Sequence, residues 1–197
     1  MKLYCATTNT GKLREFRLAV ERLGRGEFGI EVLPGLDEIP PCEETGKTFE
    51  ENAIAKALYY SPHAPGPLFV DDSGLSVDAL GGAPGVFSAR YAGPEASDEE
   101  NNRLLLERMR GVENRAARFV SVVALAEKGH LIGTFRGTVE GILTEGPRGE
   151  SGFGYDPLFF HLPFGCTLAE VRPERKLSVS HRGKAVEAML RFLLDRR

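Results

Sequence analysis

The chain has 197 residues, of which 42% are hydrophobic and 27% charged, and its formal net charge is −3 at pH 7. This length suits one domain with a substantial core, and the composition is that of an ordinary soluble globular protein. The small negative charge argues against a general nucleic-acid-binding protein, which normally carries an excess of Lys and Arg. The three cysteines lie far apart and form neither a metal-binding pair nor a disulfide framework.

The sequence shows no targeting signal, and its longest apolar stretch, residues 119–126, is too short to span a bilayer. No repeat, low-complexity segment or long linker divides the chain. We therefore expect a cytoplasmic protein without a membrane segment, folded as a single domain over residues 1–197.

Residues 2–6 read as a first strand, followed by the polar turn TTNTGK at residues 7–12 and an amphipathic helix from Leu13. A strand, a Gly-containing turn and a helix start offer free backbone N–H groups and a positive dipole end to an anion. Lys12 adds a full positive charge there. The alternative is a plain connection whose Thr or Asn only caps the helix.

A second strand is predicted at residues 30–33, followed by an acidic, Pro-containing loop. Within it, Gly46-Lys47-Thr48 resembles the end of a phosphate-binding Walker A loop. We reject that motif because it needs Gly where this chain has Pro41, and because Glu43 and Glu44 would repel phosphate.

Residues 48–51, Thr-Phe-Glu-Glu, form a capping box that opens a helix. Lys56 lies on this helix, and spacing alone does not decide whether it faces a cleft or the solvent.

The apolar run Leu68-Phe69-Val70 ends in two carboxylates, Asp71 and Asp72. This pattern is typical of a buried strand that delivers charge to a cleft at its carboxyl end. Because side chains alternate along a strand, we expect Asp71 and Asp72 to point in opposite directions. One acid would then hold a divalent metal or activate water; the alternative is that Asp-Asp-Ser-Gly is a turn.

A second capping box at residues 97–100 predicts a helix that ends at Gly111. Residues 118–127 and 130–141 alternate in polarity around Lys128-Gly129, which predicts an antiparallel hairpin. We expect this hairpin to belong to a second lobe or a sheet extension.

The Gly-rich loop at residues 145–156 carries two aromatic side chains, Phe153 and Tyr155, before Asp156. Glycines beside aromatic rings suit close approach to a flat ligand such as a nucleobase. The alternative is a turn that precedes a strand at residues 158–160.

Four cations crowd the start of the last helix: Lys176, His181, Arg182 and Lys184. The helix dipole already disfavours positive charge there, so an anion site is indicated against the alternative of a solvated charge run. Together with the acidic centre and the aromatic loop, this combination suits a magnesium-bound nucleotide.

Five motifs, in order, resemble the inosine triphosphate pyrophosphatase family. They are TTNTGK at residues 7–12, EETGKTFEENAIAKA at 43–57, DDSGLSVDALGGAPGVFSARYAG at 71–93, GFGYDP at 152–157 and SHRGKA at 180–185. The resemblance covers nearly the whole chain.

The resemblance implies an α/β fold with an elongated mixed β-sheet, flanked by helices and divided into two lobes around a central cleft. It implies Mg²⁺-dependent hydrolysis of non-standard purine nucleoside triphosphates (ITP, dITP and XTP) to the monophosphate and pyrophosphate. It also implies a homodimer, with no nucleic-acid or membrane partner.

Carried over by position, the resemblance assigns catalysis to Asp72 and Lys56 and the metal to Glu43 and Asp72, although the residues alone leave Glu43 and Glu44 equally open. The substrate-binding residues that it implies are Thr7, Thr8, Asn9, Thr10, Gly11, Lys12, Ser73, Phe153, Gly154, Tyr155, Asp156, Lys176, His181 and Arg182. Selectivity for a 6-oxo purine requires donors aimed at O6, for which His181, Arg182 or a backbone N–H are candidates.

Two other functions are compatible with these residues. One is a Maf-like pyrophosphatase that acts on modified pyrimidine nucleotides. The other is a nucleotide-binding sensor that does not cleave its ligand, although a sensor would have no use for a water-activating carboxylate.

Overall fold

The computed structural model describes residues 1–196, within which the chain forms a single seven-stranded sheet with helices on both faces. The strands are β1 (Lys2–Cys5), β2 (Gly29–Val32), β3 (Leu68–Val77), β4 (Ala116–Glu127), β5 (His130–Leu143), β6 (Phe159–His161) and β7 (Cys166–Thr167). The helices are α1 (Thr10–Leu23), α2 (Phe49–Tyr60), α3 (Asp98–Arg108), α4 (Pro173–Leu177) and α5 (His181–Leu194).

The sheet is mixed, with the strand order β2-β1-β3-β4-β5-β6-β7. β1 pairs in parallel with β2 and β3, and every later pairing is antiparallel. The predicted α/β class and the predicted β4–β5 hairpin are both confirmed. Within residues 1–196, no helix is long and apolar enough to cross a membrane.

Alternation along β3 divides the hydrophobic core between the two faces of the sheet. Phe69 packs with α1 and α5 through residues such as Phe16 and Met189. Val70 faces the other way and packs with α2 through Ala53. A third cluster joins the second half of β3 to α3 and to residues 155–168.

The prediction that the strand ends at the two acids is wrong. β3 continues through Asp71 and Asp72 to Val77, because β4 pairs with it along its whole length. β1, in contrast, ends at Cys5, opposite Phe69. From Val70 onward, β3 therefore lacks its β1 neighbour, and this gap in the sheet leaves room for a cleft beside the two carboxylates.

Local sequence signals set the helix starts. Thr48 and Ser97 each form a complete capping box with the glutamate three residues later, as the sequence predicts. Asn9 caps α1 and Ser180 caps α5, in each case through a side-chain oxygen that accepts a backbone N–H. These caps fix where Lys12, Lys56 and Arg182 leave their helices.

Candidate active site

A cavity of about 150 Å³ lies beside β3, where β1 has ended. Asp72, Ser73 and Gly74 line it from the strand, and Arg182 lines it from the start of α5. Asp72 and Arg182, which are 110 positions apart, therefore share one pocket.

Asp72 is the centre of one cluster of charges. Its Oδ1 accepts a hydrogen bond from Lys56 Nζ at 2.8 Å, and its Oδ2 accepts one from Asn52 Nδ2 at 3.3 Å. Lys56 Nζ also lies 2.7 Å from Glu44 Oε1, and Arg90 Nη1 donates to Glu44 Oε2 at 3.0 Å. Lys56 thus faces the cleft rather than the solvent. Its spacing on the helix alone does not decide between these two orientations.

The acids of this cluster have different proton affinities. Burial raises the pKa of Asp72 above its ordinary value, although the adjacent Lys56 opposes the shift. Burial also disfavours ionisation of Glu44, but the attraction of Lys56 and hydrogen bonds from Lys56 and Arg90 outweigh it and lower the pKa of Glu44. Asp72 is therefore the stronger base of the pair.

Glu43 and Glu44, which the sequence does not distinguish, lie in different environments. The Glu44 side chain is 27% exposed and contacts Lys56. Glu43 is exposed on the surface, and its carboxylate has no ion pair or hydrogen bond to any residue in the described range 1–196. The geometry thus favours Glu44 over Glu43 as the partner of Asp72.

Asp71 belongs to a second cluster, on the opposite face of β3. Its Oδ1 accepts from Lys12 Nζ at 2.9 Å, and its Oδ2 accepts from Arg182 Nε at 3.3 Å. Arg182 also donates through Nη2 to Ser73 Oγ at 2.8 Å and through Nη1 to Glu15. All three guanidinium nitrogens of Arg182 therefore already have protein acceptors.

The second cluster extends from Glu15 to the Gly-rich loop. Lys176 Nζ lies 2.7 Å from Glu15 Oε1 and also contacts Asp156, whose Oδ2 accepts the backbone N–H of Phe153 at 3.0 Å. The Lys176 ammonium lies 5.1 Å from the centre of the Phe153 ring. This alternating series of cations and carboxylates joins the start of α1 to the aromatic loop.

The charges of the second cluster stabilise one another. Burial disfavours ionisation of Glu15, but Arg182 and Lys176 outweigh it and lower its pKa to about 2. Burial lowers the pKa of His181 well below its ordinary value, and Arg182 acts in the same direction. Burial thus favours the neutral form of His181, whose ring stacks on Phe119 with centroids 4.8 Å apart.

The crowding of cations before α5 has a different explanation from the one that the sequence suggests. Lys176 and Arg182 are buried and paired with the protein's own acids, so they do not leave an open anion site at the helix start. Lys184 is exposed and donates to the carbonyl of Thr138.

The turn at residues 7–12 borders the cleft. Asn9 Oδ1 accepts the backbone N–H of Lys12 at 2.9 Å, so the Asn9 side chain is used as a cap. Thr8, Asn9, Thr10 and Gly11 line a second cavity of about 430 Å³. Thr7 Oγ1 accepts the Asn9 N–H at 3.2 Å and stabilises the turn.

The two aromatic side chains of the Gly-rich loop have different environments. Phe153 lines both cavities, and its ring lies so close to Gly11 that a Cβ there would be 2.7 Å from the ring. Tyr155 is buried and donates its hydroxyl to the carbonyl of Ser88 at 2.8 Å. Asp98 accepts the N–H of Gly154 at 2.6 Å. Phe153, rather than Tyr155, has the freedom to contact a ligand.

Four residues at or beside these clusters were not predicted from the sequence: Glu15, Asn52, Arg90 and Asp98. Glu15 and Asn52 carried a usable signal, because they lie three and four positions from Lys12 and Lys56 on the same helix faces. Arg90 and Asp98 gave no such signal, since their contacts depend on tertiary packing.

The acids fit a divalent cation. Glu44 and Asp72 converge on one ammonium group, so a cation can be shared by two carboxylates at that point. Residues 1–196 contain no group of three or more His, Cys, Asp or Glu side chains arranged to hold a metal by themselves. Mg²⁺ does not require one, because it keeps several waters and uses one or two carboxylates together with substrate phosphates.

Comparison with known proteins identifies relatives along the whole chain. A dITP/XTP pyrophosphatase from an Exiguobacterium species is 49% identical over 189 residues, covering 96% of this chain and 95% of that protein. The dITP/XTP pyrophosphatase of Thermus thermophilus is 48% identical over 197 residues, covering 99% and 93%.

Solved structures show the same fold. The Ham1 protein of Staphylococcus aureus has a TM-score of 0.87 and 36% identity, with both chains covered completely. A HAM1 protein from Coxiella burnetii has a TM-score of 0.87 and 38% identity, with 99% of each chain covered. The model of the Ham1 family matches residues 3–192. The chain belongs to the Ham1 family.

Proposed function

We propose that this protein is a nucleoside-triphosphate pyrophosphatase that hydrolyses the non-standard purine nucleotides ITP, dITP and XTP. Water and one triphosphate yield one nucleoside monophosphate and one pyrophosphate. The observation that carries the proposal is that Asp72, Glu44, Lys56 and Arg182 line or adjoin one cavity next to an aromatic loop. The relatives named dITP/XTP pyrophosphatase support the substrate class.

Asp72 is suited to take the proton of the attacking water. Burial raises its pKa, so it is a stronger base than an exposed carboxylate, and Lys56 and Asn52 hold its two oxygens in place. Lys56 lies between Asp72 and Glu44, where its ammonium can reach the phosphates.

The charge balance of the first cluster indicates how a triphosphate is accommodated. Two acids, Asp72 and Glu44, are matched by two cations, Lys56 and Arg90. A triphosphate brings further negative charge, which a divalent cation held by Glu44 and Asp72 would neutralise. We propose Mg²⁺ as this cation; when bound, it would polarise the phosphoryl oxygens and stabilise the leaving pyrophosphate.

The remaining predicted residues fall into two groups, which contact different parts of the substrate. We propose that Thr7 to Lys12 contact the phosphates through their backbone and the Lys12 ammonium. Ser73, Phe153 to Asp156, Lys176, His181 and Arg182 would enclose the nucleoside end. Because the Arg182 side chain is only 3% exposed and three of its five N–H groups already donate to protein, we expect Arg182 to act on base selectivity by fixing this pocket rather than by its own donation to O6.

The direct test is a substrate panel with purified protein and Mg²⁺, with pyrophosphate and orthophosphate measured separately. The proposal predicts pyrophosphate release from ITP, dITP and XTP at rates far above those for ATP. Faster cleavage of dUTP or 5-methyl-UTP would indicate a Maf-like enzyme. Tight binding of ITP without cleavage would indicate a sensor.

We further propose that the enzyme works as a cytoplasmic homodimer of single-domain, two-lobed subunits. Light scattering coupled to gel filtration tests the assembly, with twice the subunit mass expected. A monomer mass at micromolar concentration would contradict it.

A further inference from the structure

Arg90 lies at the end of a short 3-10 segment, residues 85–90, that packs along the free edge of β3. Ser88 fixes this segment, because its Oγ accepts the backbone N–H of Leu75 at 2.9 Å and donates to the Gly85 carbonyl at 2.7 Å. The Ser88 carbonyl also accepts the Tyr155 hydroxyl at 2.8 Å. Arg90 therefore extends into the cavity from an immobilised backbone.

The guanidinium of Arg90 has unused donors. Its Nη1 donates to Glu44 at 3.0 Å, and among residues 1–196 this is its only hydrogen bond. The side chain is 34% exposed and lines the cavity. Arg182 lines the same cavity, but three of its five N–H groups already donate to protein and its side chain is only 3% exposed. Of these two arginines, Arg90 is the more exposed and has more free N–H groups with which to bind an incoming anion.

The neighbours of Arg90 indicate which part of the substrate it meets. It adjoins Glu44, and through Glu44 it joins Lys56 and Asp72, where the reacting phosphates are proposed to lie. The aromatic ring of Phe153 belongs to the other cluster, with Lys176 and Arg182. A planar guanidinium with free N–H groups is well suited to two oxygens of a polyphosphate.

We propose that Arg90 is a catalytic residue, which donates from its free guanidinium nitrogens to the leaving pyrophosphate while Nη1 remains directed at Glu44. This role rests on the proposed function. The Arg90 guanidinium supplies a positive charge that neutralises the leaving group as the bond between the α- and β-phosphates breaks.

The test compares R90Q and R90K with a matched control, R118Q. Arg118 also pairs with carboxylates, Glu140 and Asp78, and its side chain is 36% exposed, but it does not line the cavity. For each variant, calorimetry with Mg²⁺ present measures binding of pyrophosphate and, separately, of inosine monophosphate. Steady-state kinetics with ITP give kcat and KM. Circular dichroism confirms the fold.

Loss of a charge-assisted hydrogen bond predicts that R90Q binds pyrophosphate about tenfold or more weakly and loses a similar factor in kcat. Binding of inosine monophosphate stays within about twofold of wild type, R90K lies between wild type and R90Q, and R118Q matches wild type. Unchanged pyrophosphate affinity in a folded R90Q would overturn the proposal, as would full restoration of its affinity by raised Mg²⁺. Pyrophosphate binding is measured without turnover. A wild-type protein that does not hydrolyse ITP would therefore contradict the proposed function, whereas unchanged pyrophosphate binding in R90Q would contradict only the role of Arg90.

Discussion

Asp71 and Asp72 are neighbours in sequence but belong to different clusters of charges. Alternation along β3 points Asp71 towards Lys12 and Arg182 and Asp72 towards Lys56. The sequence alone predicts this divergence from the period of a strand. It does not predict the partners, because each is supplied by a helix from a different part of the chain.

The two glutamates at the acidic loop provide a paired test of the proposed metal site. E44Q removes a carboxylate that contacts Lys56 and Arg90, whereas E43Q changes an exposed side chain. We expect E44Q to raise the Mg²⁺ concentration for half-maximal activity and to lower kcat by about tenfold or more, because one charged ligand is lost. E43Q stays within about twofold of wild type. Both variants are measured in a Mg²⁺ titration of ITP hydrolysis. A larger effect of E43Q than of E44Q would show that Glu43, and not Glu44, holds the metal.

The lowered pKa of His181 leads us to predict that the stability of the folded protein depends on pH. Its pKa in the folded protein lies well below the ordinary value of 6.5, so as pH falls below that value the unfolded chain takes up a proton that the folded protein does not. The free energy of unfolding therefore declines with falling pH, by up to about 1.4 kcal/mol per pH unit from this residue. The pKa of His161 is also lowered by burial, and it adds to the same slope.

Urea unfolding of wild type and H181N between pH 5 and 7 measures this contribution. H181N is expected to show a shallower loss of stability than wild type, and H130N, which changes an exposed histidine, serves as the surface control. Equal slopes in H181N and wild type would show that His181 titrates normally in the folded protein.

The contact between α5 and β5 depends on a glycine in the strand. A Cβ at Gly137 would lie 2.0 Å from the carbonyl oxygen of His181 and 2.7 Å from the N of Ala185, both of which are backbone atoms of α5. We expect G137A to lower the free energy of unfolding by about 1–3 kcal/mol, since α5 must move away from the sheet. It should also raise KM for ITP, because His181 and Arg182 move with the helix.

The control for this change is G29A in β2, where a Cβ would meet nothing within 4 Å. Chemical unfolding should place G29A close to wild type. A fully stable G137A with unchanged KM would show that the α5 position is not set by this close approach.

Capping and periodicity specify most of the helices and strands. Thr48 and Ser97 start their helices where the sequence predicts, because a cap is a local interaction. The end of the third strand is different. Asp71 to Ser73 have turn-like composition, but pairing with β4 outweighs that local preference and continues the strand to Val77.

The site as a whole is built from distant parts of the chain. Arg182 reaches Asp71 across 111 positions, and Arg90 reaches Glu44 across 46. The residue types at the cleft follow from the sequence and its family resemblance, but their pairing does not. Glu15 and Arg90 illustrate this, since each gains its significance only when the sheet brings α1, α5 and the 85–90 segment together.

The proposed function depends on one reaction, in which the carboxylate of Asp72 on β3 activates water. The most direct measurement is product analysis of ITP with Mg²⁺, by chromatography and separate phosphate assays, for wild type and D72N. We expect wild type to give equal amounts of inosine monophosphate and pyrophosphate. D72N, which keeps the size of the side chain but loses its basicity, should be slower by about 10²–10⁴-fold. Release of orthophosphate by wild type, or full activity in a folded D72N, would contradict the account.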